Sequence, residues 1–490
     1  MNICFATSEC VPFVKTGGLA DVCGALPRAL DRLGCNVKLF LPLYQSIRTM
    51  DHGLTYASDL GEMIVRVGMQ DVGFHTWHGT IPDSNVDVYL IDCPRYFHRP
   101  TPYTSDPDED ERFILFQYAI FSVLQRYAWA PDVFHCNDWQ TGLIPAIIRL
   151  NYEWDDLFRP AASVMAIHNI GYQGRFNPLT LLKARLPQEH YYPTGPFELF
   201  GSFSFLKSGL VFADLLVTVS ENYAREIQTS EFGEGLQGLL ASRRGELYGI
   251  LNGIDVDVWN PAIDPYLTDH FSADDIEGKA LNKQQLLASF GLPYREDTPV
   301  VGIVSRFADQ KGFELLHPMM EPFLRAHDVQ FVVLGSGEPR HERFFSWLQA
   351  TFPTRVGVYI GYNERLSHLI EAGSDLFLMP SRYEPCGLNQ MYSLVYGTVP
   401  VVRYTGGLAD TVRDSDGEPA TGNGFTFDWF TSESVYDSLV RALEAYRTPE
   451  RWRTIMKRGM NADFSWEASA RKYLALYEKA VDTRRMHTLK

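Results

Sequence analysis

The hexapeptide Thr-Gly-Gly-Leu-Ala-Asp occurs twice, at Thr16–Asp21 and at Thr405–Asp410, each time shortly after a short apolar run and before a helical pattern. Paired glycines at a strand-to-helix turn let backbone N–H groups approach an anion. The helix N-terminus adds partial positive charge of about half a unit. That combination holds phosphate. Lys15 stands immediately before the first turn, so an ammonium joins the N–H groups of Gly17 and Gly18. A lone lysine beside such a turn is more often a solvated surface group. The second copy, Thr405-Gly406-Gly407-Leu408, shifts the balance toward anion binding.

Two further cations follow a strand pattern in the second half of the chain. In Val304-Ser305-Arg306-Phe307-Ala308-Asp309-Gln310-Lys311-Gly312, Arg306 ends the strand and Lys311 falls at an apparent helix start. Both point to the place a diphosphate would occupy, where charge-assisted contacts contribute roughly 1.5–3 kcal/mol each. Past another strand lies Ser381-Arg382-Tyr383-Glu384-Pro385-Cys386-Gly387. The Glu384 carboxylate can accept from sugar or ribose hydroxyls or stabilise positive charge, and its bland alternative is a helix-start acid that only favours the macrodipole. Cys386 and Gly387 open the same helix, where a thiol can become acidic, although packing is the commoner role. In the first half, His168 and Asn169 end one strand, and His135, Asp138 and Trp139 surround the end of another. A single histidine is more often structural than catalytic, but an acid beside an indole at a strand end suits sugar recognition.

Alternating strand runs and amphipathic segments set these residues in place, which is the pattern of repeated βαβ units with parallel sheets. Strands are predicted at 2–7, 37–42, 86–92, 133–137, 163–168 and 215–220, and again at 300–305, 329–334, 356–360, 376–380 and 399–403. Between the two series, 229–283 carries turn signals and no long period. The fold class is therefore α/β: two Rossmann-like doubly wound lobes facing a cleft, 1–249 and 250–464. Ligands are expected at the carboxyl ends of the strands. Residues 64–67 and 72–75 alternate as an inserted antiparallel pair. Pro27 falls within the helical spacing of Leu19 to Leu33 and is expected to kink that helix or detach its first turn.

The 490 residues carry a net charge of −16 and 45% apolar residues. This describes a globular protein of two or three domains, and the acidic field argues against nucleic acid or an anionic membrane as partner. No leader pattern and no apolar stretch of about 18 residues are present, which predicts a cytoplasmic chain. The seven cysteines are scattered, without metal-site spacing. Gly335-Ser336-Gly337-Glu338-Pro339-Arg340 begins like a dinucleotide fingerprint but lacks a third glycine, and Pro339 is expected to disrupt the turn. Asp255-Val256-Asp257 resembles a metal-binding Asp-x-Asp but lies in the linker. No P-loop, H-E-x-x-H or G-x-S-x-G occurs.

Taken together, Lys15-Thr-Gly-Gly-Leu, His168-Asn, Ser305-Arg306 with Lys311-Gly312, Glu384-Pro-Cys-Gly-Leu and Thr405-Gly-Gly-Leu-Ala-Asp resemble the bacterial glycogen synthases and the plant or cyanobacterial starch synthases, over nearly the whole chain and in order. The resemblance implies a glycosyltransferase-B architecture, with a last helix, 465–490, that packs back on the first lobe. It implies transfer of glucose from ADP-glucose to the non-reducing 4-OH of an α-1,4-glucan, with retention and with no metal or other cofactor. Lys15, Gly17, Gly18, Arg306, Lys311 and the Thr405-Gly406-Gly407-Leu408 turn would bind the diphosphate. Tyr362 would stack on adenine. Glu384, with Cys386 and Gly387, would sit by the donor glucose, and Asp138, His168 and Asn169 would shape its pocket. Glu384, His168, Arg306 and Lys311 would be the catalytic set.

The segment Arg95–Tyr103 resembles the family's acceptor loop loosely, which makes Tyr96, Phe97 and Tyr103 candidate platforms for glucan rings, with a solvated loop as the equal alternative; Trp139, at its strand end, is a further acceptor candidate. Asn389 stands where many relatives carry Thr. A plastid-like or granule-associated setting fits the same resemblance. The competing expectations are a related enzyme using UDP-glucose, an inactive glucan-binding scaffold, a two-lobed oxidoreductase and a non-catalytic sugar-binding protein. The missing third glycine and the cations at the strand ends weigh against the oxidoreductase.

Overall fold

A computed structural model of the chain describes residues 1–488. Two compact units form. The first comprises Met1–Val219, Ala224–Gly253 and the stretch from Trp466; the second comprises Ser220–Tyr223 and Ile254–Ser465. Both are α/β units around parallel sheets.

In the first unit the strands are β1 (Asn2–Ala6), β2 (Asn36–Pro42), β3 (Thr55–Tyr56), β4 (Met63–Val67), β5 (Gln70–Thr80), β6 (Asp87–Asp92), β7 (Val133–Asn137) and β8 (Ala162–Ile167). They continue with β9 (Arg175–Phe176), β10 (Glu198–Leu199), β11 (Ser202–Ser204), β12 (Leu215–Thr218) and β13 (Leu247–Gly249). The main sheet runs β13-β12-β8-β7-β1-β2-β6-β5-β3, and β9 to β11 form a small separate sheet. From β13 to β6 neighbours are parallel, and β5 then reverses direction and pairs antiparallel with β3, β4 and β6. The antiparallel insertion is thus where alternation placed it. The strands of this unit outside the predicted set, β3, β9 to β11 and β13, have two or three residues each, too few to display a period, and the same holds for the three-residue strand Phe425–Phe427 of the second unit.

The second unit holds β14 (Val300–Phe307), β15 (Gln330–Gly337), β16 (Val356–Ile360), β17 (Leu376–Met379), β18 (Val399–Arg403) and β19 (Phe425–Phe427), all parallel in the order β16-β15-β14-β17-β18-β19. Side chains alternate between two cores. Val301, Ile303, Phe331, Val333, Leu376, Leu378, Val399 and Val401 enter one, and Val300, Val332, Leu334, Phe377, Met379 and Val402 enter the other. A strand buried on both faces needs apolar residues at every position, which is why these segments read as continuous apolar runs.

Two prolines behave otherwise than expected. The helix Gly18–Arg32 runs through Pro27 as one element. Proline removes the N–H that would serve the Cys23 carbonyl one turn earlier, and the Cys10 thiol donates to that carbonyl instead, at 3.3 Å. Pro339 does not break its turn. It is the first residue of the helix Pro339–Thr351, where its missing N–H has no intrahelical partner to lose.

The final helix, Trp466–Thr488, lies in the first unit against the helix Gly18–Arg32 and against β7 and β8. Leu489 and Lys490, the end of the segment expected to pack there, lie outside the described residues. The buried Tyr477 hydroxyl donates to Nδ1 of His135 at 3.1 Å. Tyr477→Phe leaves that nitrogen without a donor, and should lower the unfolding free energy by about 1–3 kcal/mol. A urea midpoint equal to wild type would contradict this.

Candidate functional site

In the second sheet, β14 is flanked by β15 on one side and by β17 on the other, so successive connections leave its edge in opposite directions. At such a switch point the loops diverge beyond the carboxyl ends and leave a crevice. A recess of about 160 Å³ lies there, lined by Ser305, Arg306, Lys311, Ser381, Glu384, Gly387 and Asn389 among others. The expected cations and carboxylate are brought together. The Lys311 ammonium lies 2.6 Å from Oε2 of Glu384, with only 18% and 8% of the two side chains exposed. Ser381 Oγ donates to the same oxygen at 3.1 Å. Arg306 is exposed beside the recess, with no ion-pair partner among the described residues.

Lys311 does not start a regular helix, as its sequence suggested. It ends a short turn, Asp309–Lys311, and Gly312 follows in the left-handed region at φ 72°. A Cβ on Gly312 would run into the Pro380 carbonyl. Arg382 N–H donates to the Gln310 carbonyl at 2.8 Å, so the loops after β14 and β17 are stitched backbone to backbone. Asn389 donates to the Val304 carbonyl at 2.7 Å, which gives the unusual asparagine a structural task. Tyr362 follows the edge strand β16 and is 81% exposed, with its ring unburied. Cys386 is buried and its carbonyl accepts from Gln390, which fits packing.

The two hexapeptides differ in what their glycines do. In the second, Thr405, Gly406, Gly407 and Leu408 are buried, at the start of the short helix Gly406–Thr411. The Gly407 N–H donates to the carbonyls of Glu384 and Pro385, at 3.0 and 3.1 Å, and Leu408 N–H to Thr405 O at 3.1 Å. A Cβ on Gly406 would meet the Glu384 carbonyl, and one on Gly407 the Cys386 carbonyl. These glycines permit backbone contact with the loop that carries Glu384. At Gly17 and Gly18, by contrast, an added Cβ meets nothing within 4 Å. Two N–H groups of the first turn are already engaged. Thr16 and Gly17 donate to Oε2 of Glu9, Gly17 at 3.1 Å, and Thr16 Oγ1 donates to Oε1 at 2.6 Å. Lys15 pairs with Asp21 of its own hexapeptide at 2.8 Å.

Glu9 escaped sequence reasoning, although an acid just beyond β1 was the available signal. Its carboxylate also accepts from the Tyr103 hydroxyl at 2.6 Å. Beside it, at the switch point between β1 and β7, Asp138 holds φ at 54°, a costly value for a residue with a Cβ. Its carboxylate accepts the His168 N–H at 2.8 Å. Burial, with Glu9's charge as a lesser cause, pushes Asp138 up to about 7. Asn137 orients the histidines: its amide donates to the Ala6 carbonyl at 2.9 Å, so its oxygen accepts from Nε2 of both His168 (2.8 Å) and His135 (3.2 Å). Burial lowers His168 to about 4 and His135 to about 3, so both rings are neutral near pH 7. Asn169 caps the turn that follows, accepting from Gly171 N–H at 3.0 Å.

Three of the aromatic platforms are not platforms. Tyr96 and Phe97 are fully buried, because Arg112 draws the 96–102 loop inward. Its guanidinium donates to the Tyr96 and Pro102 carbonyls at 2.7 and 3.0 Å and pairs with Glu109 at 2.5 Å. Trp139 packs edge-on against Phe113 and Phe205 beneath Gly174, where a Cβ would strike its indole. Tyr103 is half-buried and holds Glu9.

Comparison with known proteins finds two families along the chain. Residues 2–242 match a family described as the starch synthase catalytic domain, and residues 287–458 match glycosyl transferases group 1. The glycogen synthase of Syntrophotalea carbinolica is 46% identical over 487 residues, covering 98% of this chain and 99% of the relative. That of Geobacillus stearothermophilus is 43% identical, covering 100% and 99%. Among solved structures, the catalytic domain of starch synthase IV from Arabidopsis thaliana, bound to ADP and acarbose, is similar with a TM-score of 0.88 and 33% identity over 98% of this chain and 99% of that one. Sucrose-phosphate synthase from Thermosynechococcus elongatus, at TM-score 0.58 and 17% identity over 98% of each chain, shares the fold.

Gly407→Ala should destabilise the second unit by about 1–3 kcal/mol through overpacking, whereas Gly17→Ala should change stability by less than about 0.5 kcal/mol. Equal thermal shifts for the two would refute the contrast. For Asp138, the folded-state pKa near 7 lies above the unfolded value of about 3.9. Its contribution to stability is therefore complete below about pH 4 and is lost as pH rises through 7. Relative to Asp138→Asn, the wild type should lose stability across that window, and parallel stability–pH curves would exclude the raised pKa.

Proposed function

The chain belongs to the bacterial glycogen synthase and starch synthase family, and we propose that this glucosyltransferase moves glucose from ADP-glucose to the non-reducing 4-OH end of an α-1,4-glucan with retention of configuration. The observation that carries the reading is the convergence of Arg306, Lys311 and Glu384 on one recess at the β14–β17 switch point. Breaking the glucosyl–phosphate bond leaves negative charge on the diphosphate and positive charge on the sugar ring. Cations belong at one end and a carboxylate at the other.

In this reading Arg306 and Lys311 neutralise the diphosphate without a metal or cofactor, and Lys311 exchanges its Glu384 partner for a phosphate oxygen as donor enters. Glu384, released from that pair but still held by Ser381, faces the glucosyl unit, with Cys386 and Gly387 forming the adjoining wall. The Thr405–Leu408 turn acts by fixing the Glu384 loop through Gly406 and Gly407, and its own engaged N–H groups leave the phosphate to the cations. Tyr362 offers an exposed ring to the adenine, and the ADP in the solved starch synthase structure supports that nucleotide.

The first unit supplies groups suited to hydroxyls: the Asp138 carboxyl, Asn169, and the neutral His168 ring, whose Nδ1 is an acceptor because Nε2 donates to Asn137. A phosphate role for Lys15 and Gly17, beside Gly18, requires Asp21 to release the lysine and Glu9 to release the Gly17 N–H. Retention without a covalent nucleophile fits a front-face displacement, in which the leaving phosphate accepts the proton of the acceptor hydroxyl. Among the described residues no helix is long and apolar enough to cross a membrane, in keeping with soluble substrates and a cytoplasmic setting.

Incorporation of labelled glucose into glycogen, with ADP-glucose and UDP-glucose compared side by side, tests this reading. ADP-glucose should be the better donor, and incorporation from neither would overturn it in favour of a scaffold. Arg306→Ala and Lys311→Ala should each lower kcat/KM for the donor by roughly 10- to 100-fold, and Glu384→Ala should lower kcat by about 100-fold or more. Wild-type turnover at sub-saturating donor in any of the three would remove that residue from its role.

A further inference from the structure

Asp309, Glu338 and His341 meet outside the recess, where the turn after β14 approaches the start of the helix Pro339–Thr351. One ligand atom from each lies within 4.8 Å of the others. Nε2 of His341 is 3.8 Å from Oδ1 of Asp309 and 3.9 Å from Oε2 of Glu338. The His341 side chain is 0% exposed, and this nitrogen makes no hydrogen bond among the described residues. A buried polar atom left unsatisfied is costly and uncommon. Here it is aimed at two carboxylates. The other ring nitrogen is held: Nδ1 lies 3.1 Å from Nε2 of His317.

We propose that Asp309, Glu338 and His341 form a binding site for a divalent transition-metal cation of the zinc class. One imidazole with two carboxylates suits zinc, which takes nitrogen and oxygen ligands at about 2.0–2.2 Å. Tetrahedral ligands at that distance stand roughly 3.3 Å apart, so the two separations from His341 Nε2 need close by only about half an ångström. With metal on Nε2, the His341 ring carries its proton on Nδ1 and donates it to His317, the outer hydrogen bond that fixes a metal-bound imidazole. Glu338 is positioned independently, because its other oxygen accepts the Asp309 N–H at 3.0 Å.

A competing cation is already present. The guanidinium of Arg340 pairs with Asp309 and with Glu338, the latter at 3.0 Å, and is about half exposed. Exposed pairs of this kind contribute little, and a doubly charged ion with a buried nitrogen ligand outbids them. Arg340 can swing into solvent without leaving a buried charge behind. The site therefore makes an unusual demand: removing a positive side chain should tighten binding of a positive ion.

The test is Zn²⁺ binding by the full-length chain, stripped with EDTA and titrated against a chromophoric chelator. Wild type should hold one equivalent that survives millimolar Mg²⁺. Asp309→Asn and Glu338→Gln should each weaken it by more than about tenfold, and Arg340→Gln should tighten it. His341→Gln should also weaken it, but that residue is buried, so the exposed Asp309 variant carries the result if the His341 variant unfolds. Co²⁺ loaded in place of Zn²⁺ should give the visible absorption of a four-coordinate site and lose it in Asp309→Asn. The proposal fails if wild type holds no equivalent, if Asp309→Asn binds as wild type does, if Mg²⁺ displaces Zn²⁺, or if Arg340→Gln leaves affinity unchanged or weaker.

Discussion

The half-buried ion pair between Lys311 and Glu384 is the contact on which the rest of the second unit's site depends. Two charges this sheltered are tolerable only at close range with further hydrogen bonds, and here they lie 2.6 Å apart with Ser381 on the same oxygen. The loops after β14 and β17 must therefore stay in register. Their backbones touch directly, which explains Gly312 against Pro380 and Gly406 and Gly407 against residues 384–386. Any side chain at those points would wedge the loops apart and strand a charge. In the proposed reaction, a diphosphate would replace the carboxylate as the partner of Lys311.

The first unit follows a different electrostatic plan. Its strand ends carry Glu9 and Asp138 in buried or nearly buried positions and two neutral histidines. Asn137 governs the arrangement: with its amide committed to the Ala6 carbonyl, its oxygen can only accept, and both imidazoles are fixed as Nε2–H tautomers. His135 passes the constraint to the final helix through Tyr477. The ring of His168 is thereby oriented without being charged, which suits recognition of hydroxyl groups more than of phosphate. The recess of the second unit is lined by the cations Arg306 and Lys311.

The repeated hexapeptide shows how little a short motif says about its own physics. Both copies stand between a strand and a helix, as their composition required. In one, glycine is needed because a carbonyl lies where Cβ would be. In the other there is open space, and the Thr16 and Gly17 N–H groups are capped by the Glu9 carboxylate seven and eight residues upstream. The identical side-chain pattern cannot distinguish these cases, because the deciding atoms belong to other segments.

By itself, the sequence determined the two series of parallel strands, since a strand buried on both faces must be apolar throughout. It also determined which polar residues would emerge at their carboxyl ends, namely Arg306, Lys311, Glu384, Asp138 and His168, because a strand's last residue is fixed by where the apolar run stops. Only the tertiary structure decided which of these meet. The pairing of Lys311 with Glu384 depends on β14 lying beside β17, and the capture of the first turn by Glu9 depends on the path of the loop between them. The burial of Tyr96, Phe97 and Trp139, which the family resemblance and the strand-end position offer as glucan platforms, involves contacts with Arg112 and Gly174. Each is a contact between segments distant in the chain or separated by irregular loop, and periodicity carries no information about such distances.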